Sequence, residues 1–214
     1  MVHYFIYAKD FSGSTEGVKY YHENGLKTLE QFQEDEKKIK EELLVGTEPQ
    51  ADWATLYLHW GDACWEVDEK TARDAYDDCA CNWMMATDPE SLIEYLKENY
   101  IADKDNKIKL MYIVTSGIID KESVMKCFEA NKDICYERVV FHAFNEDPEK
   151  IDLTVAASFF KGSCLVYQNG ELCNSNDILK NFNHDNVKSD NFTTEEHQLE
   201  NYIKLMIINE SNLS

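Results

Sequence analysis

Long apolar runs are missing from this chain of 214 residues. A bilayer-spanning helix needs roughly 20 consecutive apolar residues, and no segment approaches that, so no spanning helix is expected. Positive charge is scarce as well: 21 Lys and Arg stand against 41 Asp and Glu, a formal net charge of −20. Such a surface repels nucleic-acid phosphates and anionic headgroups, which excludes nucleic acid and membrane as general partners. It suits solubility, attraction of cations or a basic protein partner. The phosphate-binding G-x-x-x-x-G-K-[ST], the dinucleotide G-x-G-x-x-G and the G-x-S-x-G elbow are all absent. Histidines are scattered, and only His59 lies beside a turn, Trp60-Gly61-Asp62. Cys79-Ala80-Cys81 lacks a second pair at a zinc-binding interval. The N-terminal "MVHYFIYAKD" has no small-residue cleavage site and reads as a strand. With seven cysteines, an odd number, it points to reduced thiols in an intracellular compartment, cytoplasmic or nuclear. Three Asn-x-Ser/Thr acceptors near the C-terminal end have no meaning without secretion.

What is present alternates between strands and helices. The apolar share of 43% is that of a globular chain. Residues 3–9 read as a strand buried on both faces. A helical pattern follows from Ser14 to about Leu44, with Gly25 marking a close contact or a kink. "WATLYLHW" (53–60) and "CWEV" (64–67) form a hairpin around Gly61-Asp62. Residues 68–86 are acidic and irregular. Asp88 and Pro89 start a helix with Leu92, Ile93 and Leu96 on its buried face. "IKLMYIVTSG" (108–117) is the central strand, and Asp120 caps the helix that follows. Residues 137–144 are a strand, 148–160 a helix begun at proline, and "SCLVYQNGE" a last strand and turn. "TTEEHQLENYIKLMI" (193–207) has the spacing of a final helix.

This order specifies an α/β fold: a Rossmann-like three-layer sandwich, its sheet mainly parallel with one antiparallel edge strand, and helices on both faces. Ligands of such folds gather beyond the carboxyl ends of the strands. Three loops belong there. One carries Asp10, Ser12 and Ser14, the second Thr87, and the third Thr115, Ser116 and Gly117. One carboxylate among neutral hydroxyls suits a hard cation such as Mg²⁺, which takes oxygen ligands and keeps several waters. So few anions leave the cation short of neutralisation and receptive to an acidic group from outside. A bland alternative has Asp10 cap the first helix.

At these residues the chain resembles the von Willebrand factor type A domain. "DFSGSTEG" is similar to that family's first metal loop, "ATDPESLIEYL" to the segment bearing its threonine ligand, and "KLMYIVTSGIID" to its central strand and loop. "IDLTVAASFFKGSCLVY" is similar to its penultimate helix and last strand. The resemblance implies a domain over 1–170, with 171–214 an extension carrying a docked helix. It implies metal ligands at Asp10, Ser12, Ser14, Thr87 and Ser116, holding Mg²⁺, or Mn²⁺ or Ca²⁺. Ser116 stands where the family has an aspartate, so cation affinity is expected to be weaker, with Asp62 or Asp88 as candidate compensators. The function implied is binding, not catalysis: an intracellular scaffold or adaptor module that takes a partner's acidic group through the cation. Its partners would be proteins, in a homo-oligomer or a multiprotein assembly. The alternatives are a structural subunit with a metal-free site, or a metal-dependent hydrolase using His59. Trp60, Trp65 and Trp83 form either an aromatic rim beside the site or plugs of a loose region.

Overall fold

Burial on both faces is what selects the central strands. In the computed structural model, which describes residues 1–45, 51–74, 85–102 and 105–187, β1 (Val2–Asp10) and β4 (Lys107–Thr115) are buried almost end to end. They pair in parallel at the middle of a seven-stranded sheet of order β3-β2-β1-β4-β5-β6-β7. The flanking parallel strands are β2 (Asp52–Trp60), β5 (Arg138–Ala143) and β6 (Ser163–Gln168). β3 (Cys64–Val67) runs antiparallel to β2 at one edge, as the hairpin reading expects. A two-residue strand, β7 (Glu171–Leu172), folds back antiparallel at the other edge. Its turn, Asn169-Gly170, has positive φ at both positions (51° and 86°), the twist that joins two strands with a two-residue loop.

Helices cover both faces. α1 (Lys19–Val45) and the short α2 (Glu69–Asp74) lie on one, where Tyr21, Leu29 and Phe32 pack against Phe5, Tyr7 and Tyr112. α3 (Pro89–Asn99), α4 (Lys121–Ala130) and α5 (Ser175–Val187) lie on the other, over Ile6, Met111 and Phe141. The sandwich expected from the alternating pattern is therefore the fold. Asp88 and Asp120 cap α3 and α4 as their spacing predicts, accepting from the amides of Glu90 and Ser123. Gly25 marks a close contact: a Cβ there would lie 3.2 Å from Cε of Lys9.

Four elements depart from the sequence reading, one of them α2, a helix inside the stretch 68–86 that the sequence marks as irregular. The first helix starts at Lys19, preceded by a 3₁₀ turn over Gly13–Thr15 that lets the amide of Thr15 bond the carbonyl of Ser12. Residues 148–160 form two 3₁₀ segments, Pro148–Lys150 and Thr154–Phe159, and not one helix. The break falls where the amide of Asp152 turns aside to the carbonyl of Gly117 at 2.9 Å, and its carboxylate restarts the chain at Thr154. α5, which the polar composition hid, buries Ile178, Leu179 and Phe182, the last against Phe128. The expected helix over 193–207, the glycosylation acceptors and Cys79, Cys81 and Trp83 lie outside the described residues.

Candidate metal centre at the carboxyl edge of the sheet

β1 and β4 end side by side, and their last residues build the floor of the site. Asp10 closes β1 and is completely buried. Its Oδ1 accepts the amide of Ser12 at 2.9 Å. Its Oδ2 accepts the hydroxyl of Thr115 at 2.8 Å and the amide of Ser116 at 3.3 Å. Burial raises the Asp10 carboxyl above its ordinary value, and the hydrogen bonds from Ser12, Thr115 and Ser116 work against that rise. The backbone at Asp10 is held too: the Tyr21 hydroxyl donates to its carbonyl at 2.8 Å. Asp10 does not cap α1, which begins nine residues later.

Above this floor four hydroxyls meet. Ser12 Oγ and Ser14 Oγ are 2.9 Å apart. Thr87 Oγ1 donates to Ser12 Oγ at 2.7 Å and lies 3.4 Å from Ser14 Oγ. Ser14 Oγ and Ser116 Oγ are 2.7 Å apart. Residues separated by up to 106 positions are thus gathered at one place, and all five side chains named from the sequence are among them. The 3₁₀ turn explains the serine pair, since it brings Ser12 and Ser14 to the same side; Thr15 ties it down by donating its hydroxyl to the carbonyl of Ser12 at 2.8 Å. Gly117 (φ +75°) completes the third loop, where any Cβ would lie 2.8 Å from Ile151.

The donor set is oxygen only, with one carboxylate, and that chemistry fits a small hard cation. Adjacent ligands in an Mg²⁺ octahedron of about 2.1 Å radius stand about 3.0 Å apart, near the hydroxyl separations of 2.7–3.4 Å here. No group of three or more His, Cys, Asp or Glu side chains able to hold a metal occurs among the described residues. The proposed compensators are occupied elsewhere: Asp88 caps α3, and Asp62 accepts the amide of Met85 at 3.3 Å.

Comparison with known proteins adds one close sequence relative. The chain is 33% identical over 213 residues to the Early 94 kDa protein of Autographa californica nuclear polyhedrosis virus. That match takes in 98% of this chain and 25% of the relative, so the chain spans about a quarter of that protein's length. No family model matches. Among solved structures, a D319A mutant of the PilB minor pilin from Streptococcus sanguinis superposes with a TM-score of 0.49 at 11% identity, over 85% of this chain and 59% of the pilin. Proximal thread matrix protein 1 from the mussel byssus does so with 0.44 at 9%, over 85% and 44%. Likenesses of that size carry no argument about function.

Beside the oxygen cluster, the other candidates are packed into the core. His59, paired in register with Lys9, is buried, stacks on Phe11 at 4.5 Å and has its pKa pushed down to about 3, chiefly by desolvation. Its Nε2 has no hydrogen-bond partner among the described residues. Trp60 belongs to the core, with 1% of its surface exposed. Sequence reasoning missed Thr115 as the hydroxyl that fixes Asp10; its place at the end of the central strand, one residue before Ser116, was the available signal. Among the described residues no helix is long and apolar enough to cross a membrane.

Proposed function

We propose that this chain is a protein-interaction module of von Willebrand A type. Asp10, Ser12, Ser14, Thr87 and Ser116 hold Mg²⁺, or Mn²⁺ or Ca²⁺ in its place, and the cation accepts an Asp or Glu side chain from a partner protein. The observation that supports this is the convergence of hydroxyls from three loops over one buried carboxylate at the edge where such sheets bind ligands. A divalent ion beside one carboxylate keeps a positive charge, which reverses the local sign of an acidic protein and makes an acidic partner acceptable. The proposed setting is intracellular, as a scaffold in a multiprotein or homo-oligomeric assembly; the five cysteines among the described residues are all free thiols. Catalysis is not part of the proposal. A hydrolase needs a positioned base, and the two histidines beside this edge among the described residues, His59 and His22, are buried, with pKa values pushed down to about 3 and about 4.

A second reading, a structural subunit with a metal-free site, is favoured by one feature. The hydroxyls already satisfy one another at 2.7–2.9 Å, and hydrogen-bonded hydroxyls need no cation. Calorimetric titration of Mg²⁺, Mn²⁺ and Ca²⁺ into the wild type and Ser12→Ala decides between them. Saturable binding in the wild type, much weakened in the variant, is the expected result. A wild type that binds none of the three ions leaves the metal-free subunit as the reading.

A further inference from the structure

Two exposed apolar side chains lie on loops that supply hydroxyls to the oxygen cluster. Ile118, two residues after Ser116, is 43% exposed, and Met85, two residues before Thr87, is 93% exposed. Single apolar residues on a surface are ordinary; these two belong to two different loops whose hydroxyls both reach Ser14, at 2.7 Å from Ser116 and 3.4 Å from Thr87. Neither loop is loosely attached. The amide of Ile118 donates to Ser116 Oγ at 3.4 Å, and Gly117 between them is braced against Ile151. The amide of Met85 donates to Asp62 Oδ2, and the amide of Asp88 to the carbonyl of Gly61 at 3.2 Å. Both apolar side chains are therefore exposed on loops whose backbone is tied down, and the same loops furnish the polar groups of the site.

We propose that Ile118 and Met85 form an apolar rim that selects a partner carboxylate flanked by aliphatic side chains. The inference rests on the carboxylate-binding reading above and adds the partner's chemistry. Charge points the same way: a chain of net charge −20 repels a segment with several acidic groups, so an isolated carboxylate among apolar neighbours is the acidic partner it tolerates best.

The test uses three end-capped pentapeptides, Gly-Leu-Asp-Leu-Gly, Gly-Gly-Asp-Gly-Gly and Gly-Asp-Asp-Asp-Gly. Each is titrated in saturating Mg²⁺ into the full chain and into an Ile118→Ser, Met85→Ser double variant. Partial burial of two leucine side chains should make the first peptide bind about tenfold tighter than the second, and the third should bind weakest. The double variant should lose the leucine preference while its Mg²⁺ titration stays unchanged. Equal affinity for the first two peptides in the wild type overturns the rim and leaves the carboxylate site standing. A wild type that binds Mg²⁺ but none of the peptides overturns both. Loss of Mg²⁺ binding in the double variant would make the two side chains structural, and that also overturns the rim.

Discussion

Three aspartates end strands or begin helices at the same edge of this sheet, and they live differently. Asp88 and Asp120 accept amides two and three residues ahead of them, at 3.1 and 3.0 Å. Asp120 stays largely in contact with water, and the amide and hydroxyl of Ser123 hold its carboxyl below the ordinary range. Asp10 is completely buried, and two of its three donors lie 105 and 106 residues away. Desolvation drives its carboxyl the other way, upward. The capping pair stabilise the element they start. Asp10 holds a buried anion without a cationic side chain among its hydrogen-bond donors, an arrangement that costs stability unless something positive arrives.

The sharpest way to break this contrast is Asp10→Asn, which keeps the shape and removes the charge. Cation affinity should fall about a hundredfold or more, on the scale of a charge-assisted contact in a dry site. Unchanged affinity by calorimetry would mean that Asp10 is a structural residue of the same kind as Asp88. Ser116→Asp pushes in the opposite direction. Ser116 Oγ is 2.7 Å from Ser14 Oγ, so a carboxylate there adds negative charge where the hydroxyls meet, and affinity should rise about tenfold with the charge count. If it does not, the hydroxyl cluster is not where a cation sits.

The contrast also sets what could be seen in the sequence. Caps are local, and Asp88-Pro89 and Asp120 were legible because their partners lie two or three residues away. The strands were legible because β1 and β4 are apolar on both faces. Asp10, Ser12, Ser14, Thr87 and Ser116 were named from two things together: the rule that ligands gather beyond the carboxyl ends of parallel strands, which brought three loops to one edge, and the resemblance to the von Willebrand factor type A domain, which picked the ligands on them. Hidden were features set by tertiary contacts. The break in 148–160 depends on Asp152 bonding Gly117, and α5 forms from an asparagine-rich stretch because Ile178, Leu179 and Phe182 find Phe128 and its neighbours. Thr115 was visible as a loop residue, but its role depends on a carboxylate 105 positions away.

Burial at this edge should also be visible in pH dependence, through His59. Its folded pKa is pushed down to about 3 by desolvation, with Lys9 and His22 adding repulsion. A depressed base favours the folded state fully above the unfolded value of about 6.5, and this contribution is lost as pH falls toward the folded value. One such group removes at most about 1.4 kcal/mol per pH unit in that window. His59→Phe keeps the stacking on Phe11 and cannot take a proton, so urea unfolding between pH 7 and pH 5 should show a shallower loss than wild type. His22 and His142, each lowered to about 4, keep their own shares. Parallel slopes in the two proteins would mean that His59 is as well hydrated in the fold as in the unfolded chain.

The smallest effect belongs to the caps, and it closes the comparison from the other side. Asp120→Ala removes the acceptor of the Ser123 amide and hydroxyl, at 3.0 and 2.8 Å. Both donors are near enough to the surface for water to replace much of what is lost, so the cost should be about 1 kcal/mol, the usual value for an N-cap. For a chain of this length that is a fall in Tm of about 2–4 °C. Asp88→Ala should cost about the same through α3, although Thr87 next to it carries one of the four hydroxyls. Neither substitution should alter the Mg²⁺ titration. A tenfold loss of affinity in Asp88→Ala alone would show that the α3 cap fixes Thr87, making that local aspartate a positioning residue of the site. The same loss in Asp120→Ala, whose helix contributes no hydroxyl to the cluster, would dissolve the distinction between capping and site aspartates.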